Sequence, residues 1–198
     1  MKLRFIILIF LLFFSYFEVM KFLEKNEENL SSENIKNLVE LKNGDIIFRK
    51  EKNIVSDMFS NIDKSPYSHI GIVFEKDGQK KIYHMEADEK SDDLKMQSVL
   101  EFIKNAKKIA VYRTKNSFED ENLKKILDEY EKNRIKFDYA FLLDNDTLYC
   151  TEFINEIYFK LFNENLYTYL FDFHGLNGIT ITSILKNTNL EKRYEINF

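Results

Sequence analysis

Short strands early in the chain, with amphipathic helices between and after them, predict an α+β fold: an antiparallel sheet packed against helices. Two observations carry this. Asp77-Gly78 separates two stretches rich in β-branched and aromatic residues, the signature of a tight antiparallel hairpin. Residues 122–132 then place Leu123, Ile126, Leu127 and Tyr130 on one helical face, and a run from Thr147 repeats its apolar residues at helical spacing.

The elements follow in order. GDIIFRK (44–50) reads as a strand entered through a Gly-Asp turn, with Asp45 capping that turn. HIGIVFE (69–75) and QKKIYHMEA (79–87) are the arms of the hairpin, and KIAVYRT (108–114) is a fourth strand. SVLEFIKNA (98–106) is a helix. The last long helix, TLYCTEFINEIYFKLF, is expected to begin near Thr147 behind Asp144, Asn145 and Asp146, all good capping residues.

At 198 residues and 44% apolar, the chain supports one folded domain, expected over 44–198. The net charge of −4, with 33 acidic and 29 basic residues dispersed, offers no concentrated basic face for a phosphate backbone, so nucleic acid is excluded as a partner. Residues 1–24 place Lys2 and Arg4 before an apolar run from Phe5 to Phe17, the pattern of an export signal. The run is shorter than the roughly 20 residues of a full span. Yet no small-residue cleavage site follows it, so an uncleaved signal anchor is expected over a cleaved signal peptide. That anchors the protein in the inner membrane with the domain exported to the bacterial cell envelope. Residues 25–43 read as a linker ending in a short helix.

Cys150 is the only cysteine, so it has no disulfide partner within the chain. If Asp77-Gly78 form a type I′ turn, Lys76 faces Gln79 and, further along, His69 faces Glu86 and Gly71 faces His84. Directly opposed side chains lie about 4.5–5.5 Å apart at Cβ, within hydrogen-bonding reach. In the last helix Cys150 shares the apolar face with Phe153, Ile154, Ile157 and Leu161, so it looks inward from the first turn. A helix N-terminus beside an imidazole favours thiolate over thiol, and its free amides can form an oxyanion hole.

The blocks GDIIF, YSHIGIVF, HMEA, AVYR and FDYAFLLDNDTLYCTEF, in that order, resemble the YiiX/YebB-like permuted papain-like amidases related to NlpC-type cysteine peptidases. More distantly the chain is similar to the lecithin retinol acyltransferase group. The resemblance implies a circularly permuted papain-like (NlpC-like) domain, with Cys150 as nucleophile, His69 as general base and a third polar residue on the next strand. That residue maps onto Glu86, with His84 as the competitor. The implied function is a cell-envelope cysteine hydrolase that cleaves an amide, such as a peptidoglycan peptide, through an acyl-enzyme. The alternatives are a thiol-dependent lipid acyltransferase or esterase, and a non-catalytic envelope-binding module. No cofactor is expected. His84-Met85-Glu86 has the H-x-E spacing of zinc deaminases but lacks their P-C-x-x-C run, so no metal is expected either.

Overall fold

A computed structural model describes Leu38 and residues 40–88, 91–143, 145–173 and 175–198. The expected signal segment 1–24 and most of the expected linker lie outside the described residues, as do Asp144 and His174. No helix among the described residues is long and apolar enough to cross a membrane.

Six strands form one antiparallel sheet: β1 (Ile46–Glu51), β2 (His69–Lys76), β3 (Gln79–Met85), β4 (Leu94–Ser98), β5 (Ala106–Thr114) and β10 (Leu190–Asn197), in the order β10-β5-β1-β2-β3-β4. The central strands are apolar on both faces, and Ile47, Phe48, Ile70, Val73, Ile82, Ile109 and Val111 are fully buried. Asp77 and Gly78 have φ of 54° and 72°, which a type I′ turn requires, and Lys76 pairs with Gln79 as expected.

Helix α1 (Ile54–Asp63) follows β1, α2 (Val99–Ile103) separates β4 from β5, and α3 (Asp120–Asn133) follows β5. Helix α4 (Cys150–Phe162) packs on β2 and β3, setting Phe153, Ile154 and Ile157 into the same core as Phe48, Ile70 and Tyr83. The α4 N-terminus lies three residues later than expected. Thr147–Leu148 forms β7, which pairs in parallel with β6 (Lys136–Phe137), and the strand keeps those residues out of the helix. Helix α2 is shorter than the expected 98–106 because Ala106 already belongs to β5. A small hairpin, β8 (Phe171–Phe173) and β9 (Leu176–Gly178), leads into α5 (Ile181–Leu185).

Asp45 caps its turn by accepting from the Lys42 amide at 2.8 Å, but it is also fully buried and bidentate to Arg113 at 2.6 and 2.7 Å. Removing Asp45 strips three hydrogen bonds at once, two from the half-buried Arg113 and one from the Lys42 amide. Asp45→Ala should therefore lower stability by about 3 kcal/mol in urea unfolding, and a loss under about 1 kcal/mol would contradict this role.

Candidate active site

The β2–β3 ladder holds its expected register from Lys76–Gln79 to Ile72–Tyr83. Past Tyr83 the arrangement departs from the expected His69–Glu86 contact. His69 Nε2 meets His84 Nδ1 at 2.8 Å, with the rings edge to face, so His84 occupies the place beside His69. Two local causes are visible. Gly71 leaves room: a Cβ there would lie 2.6 Å from Ile82 Cγ2 and 3.3 Å from His84 Cβ. Glu86, just beyond the end of β3, is drawn to Arg49, whose Nη2 donates to Oε1 at 2.5 Å, while its Oε2 lies 3.9 Å from His84 Nδ1.

Arg49 stands opposite His69 in the β1–β2 register and is almost completely buried. Its guanidinium donates to the Phe102 carbonyl at 2.9 Å and lies 4.3 Å over the Phe102 ring, which also meets His84 edge on. On β4, Gln97 Oε1 lies 3.1 Å from His84 Nε2. An amide oxygen only accepts, so His84 Nε2–H donates to it. His84 Nδ1 is then a lone pair that accepts from His69 Nε2–H, and the free lone pair of His69 falls on Nδ1. The chain Gln97–His84–His69 thus leaves a basic nitrogen free on His69.

Cys150 is the first residue of α4, behind Tyr149 as a cap without a side-chain hydrogen bond. Its sulfur takes hydrogen bonds from the Thr151 and Ile70 amides, the latter one residue from His69, and feels the charges of Glu86 and Arg49. The expected thiolate is not the resting form. Burial pushes the thiol up to about 12, against the downward pull of the two amides. Burial likewise holds both His69 and His84 well below the usual histidine range, so both are neutral at pH 7. Low polarity wins at the two rings because desolvation by the surrounding protein penalises their charged forms.

Cys150 and Thr151 form the floor of a cleft of about 400 Å³, walled by Phe59, Ile62, Phe141, Tyr149 and Ile179. Two bonds fix the far wall to the start of α4: Ile179 N–H donates to Tyr149 Oη at 2.7 Å, and Thr151 Oγ1 donates to the Ile179 carbonyl at 2.6 Å. Among the described residues, Asp63 is the one charged side chain lining this space.

The ligand atoms of His69, His84 and Glu86 lie within 4.8 Å of one another. A cation there would have to widen the 2.8 Å imidazole contact and compete with the Arg49 guanidinium for Glu86. Arg49, Gln97 and Phe102 were not singled out from the sequence. An arginine closing the apolar run of IIFR was a usable signal for the first. Gln97 and Phe102 gave none, since the strand carrying Gln97 has no alternating pattern.

A buried histidine on one strand and a cysteine opening a later helix, in that chain order, define a papain-like hydrolase fold with its halves permuted. The match to known proteins agrees: residues 40–192 fit the family of permuted papain-like amidase enzymes, YaeF/YiiX, C92, and the chain belongs to that family. Among solved structures, it is similar to the crystal structure of metalloprotein yiiX from Escherichia coli O157:H7, with a TM-score of 0.67 at 15% identity, covering 79% of this chain and 98% of that one. No curated protein matches the sequence.

A neutral Cys150 thiol has a kinetic signature. The rate of Cys150 alkylation by iodoacetamide should be slow at pH 7 and keep climbing through pH 9 without levelling, given a thiol at about 12. A plateau between about pH 5 and 8, as a preformed thiolate–imidazolium pair gives, would contradict the neutral resting state.

Proposed function

We propose that the protein is a cysteine hydrolase of acyl amides in the cell envelope, with Cys150 as nucleophile, His69 as general base and His84 as the third member of the triad. The observation that carries this reading is the Gln97–His84–His69 hydrogen-bond chain beside a cysteine at the floor of an apolar cleft. Glu86 serves behind the triad: with Arg49 it balances charge next to His84.

In this mechanism His69 Nδ1 takes the thiol proton as sulfur attacks the carbonyl carbon. The tetrahedral oxyanion meets amides at the first turn of α4. The C–N bond breaks, the amine leaves with the proton from His69, and a thioester remains on Cys150. Water, deprotonated by the same nitrogen, then releases the acid. Because neither imidazole is charged at rest, the imidazolium exists only during the reaction, and Glu86 at 3.9 Å from His84 opposes its cost.

The cleft favours an aliphatic acyl group over a peptide. Aromatic and branched side chains line it, and Asp63 offers the one charge, whereas a peptidoglycan peptide carries several charges to be matched. A lipid ester is the second reading, supported by the same apolar lining. The envelope location rests on the basic leader and apolar run of residues 1–17.

Purified protein given a long-chain N-acyl amide should show the acyl-enzyme by intact mass and release the amine. His69→Ala should lower kcat by about 10²–10⁴-fold, and His84→Ala should lower kcat more than it changes KM. Retained turnover in Cys150→Ala would refute the mechanism, and turnover of muropeptides in preference to acyl amides would return the substrate to peptides.

A further inference from the structure

Helix α1 is amphipathic the wrong way round. Ser56 and Ser60 are buried, while Ile54 is 87% exposed and Val55, Met58, Phe59 and Ile62 are exposed with it. The inner face is polar and satisfied: Ser56 Oγ accepts from the Glu51 amide at 3.0 Å and pairs with Ser68 Oγ, and Ser60 Oγ accepts from Lys50 Nζ at 2.8 Å. With its serine face turned inward, the helix cannot also bury its apolar stripe on its own domain. Five large apolar side chains on ten residues are left to face outward.

The two carboxylates of α1 are both tied. Lys50 pairs with Asp57 at 2.9 Å, and Asp63 accepts from the Thr182 amide at 2.8 Å. Phe59 and Ile62 also line the Cys150 cleft, so the exposed stripe runs into its mouth. The other bank is similar: Tyr139, Phe141, Leu142 and Leu176 are exposed, and the Phe141 ring reaches Phe59 at 5.6 Å between centroids. Phe141 holds a φ of 54°, a backbone region that an aromatic residue rarely adopts.

We propose that the outward face of α1 and the facing tips at Tyr139–Leu142 and Leu176 dock on a lipid bilayer, so that an acyl chain passes from the membrane directly into the Cys150 cleft. Exposed apolar patches of this kind mark membrane or protein contacts. What selects the bilayer is the position of the cleft mouth inside the patch. A protein partner or a second copy seated there would seal the nucleophile from substrate, whereas a fluid bilayer covers the same surface and delivers the substrate. The sequence supplies a second reason in the Lys2/Arg4 leader and the apolar run Phe5–Phe17, which bring the chain to a membrane. This inference deepens the acyl-amide reading, since it names a membrane lipid as the source of the acyl chain.

The chain has no tryptophan, so one introduced indole reports on its own surroundings. Full-length Met58→Trp and, as a control outside the surface, Lys125→Trp are mixed with phosphatidylcholine vesicles whose acyl chains carry bromine. The Met58→Trp emission should move to shorter wavelength and be quenched by at least about twofold, while the Lys125→Trp emission stays unchanged. No quenching of Met58→Trp, or equal quenching of both variants, overturns the proposal, the latter because the N-terminal segment alone would then bring the chain to the vesicle. A Met58→Trp emission already shifted before vesicles are added also overturns it, and sedimentation then tells a second copy from the chain's own N-terminal segment. Quenching needs no turnover, so it can succeed or fail independently of the hydrolase reading. For the active protein, Ile54→Ser with Met58→Ser should slow hydrolysis of a vesicle-embedded acyl amide about tenfold and leave a soluble short-chain acyl amide unchanged. Equal rates on vesicles would count against docking.

Discussion

The hydrogen bond between His69 and His84 is the contact on which the rest of the site depends. Two imidazoles in a buried pocket cannot both be charged, and each must find a partner for every polar atom it keeps away from water. One solution is a directed chain in which each ring donates from Nε2, His69 to His84 Nδ1 and His84 to Gln97 Oε1. Gln97 ends that chain with an acceptor, which is why β4 must lie beside β3. Gly71 gives His84 its room. Arg49 closes the other side by joining β1 to Glu86 and to the α2 carbonyl of Phe102. A sheet edge, a short helix and a buried arginine are thereby arranged around the direction of one proton.

The thiol obeys the same constraint from the other side. A helix N-terminus ordinarily lowers a cysteine pKa, and the Thr151 and Ile70 amides do pull in that direction. Burial is the larger effect, so the thiol rests uncharged, as the two imidazoles do. Uncharged groups are compatible with an apolar cleft, where a standing thiolate and imidazolium would hold water. Low polarity at the nucleophile, apolar cleft walls and the outward stripe of α1 belong to one continuous environment running from the surface to Cys150.

The sheet and its register were legible because Asp77-Gly78 dictates a turn, and a turn dictates which residues face each other. Four strands, the α3 face and the inward aim of Cys150 followed from periodicity alone. The order of His69 and Cys150 carried the resemblance to the permuted family. Side-chain choice at the end of the ladder was not legible. A register assigns His84 and Glu86 to places on a strand, but the end of β3 and the pull of a buried Arg49 decide which of them meets His69. The start of α4 was misplaced because two residues, Thr147 and Leu148, pair with a two-residue strand, Lys136–Phe137, that has no pattern of its own. Helix α1 escaped notice for a clearer reason: helix recognition looks for an apolar face that a domain can bury, and here the buried face is serine.

The direction of the proton chain can be read from ring nitrogens. The protein has three histidines, so two-bond ¹⁵N–¹H correlation spectra are readily assigned with His→Gln variants. At pH 7, His69 and His84 should both be neutral and carry their proton on Nε2, leaving Nδ1 of His69 unprotonated. A protonated Nδ1 on His69, as the other neutral tautomer or as imidazolium, would mean that the chain runs the other way or is charged, and His69 could not accept the Cys150 proton as described.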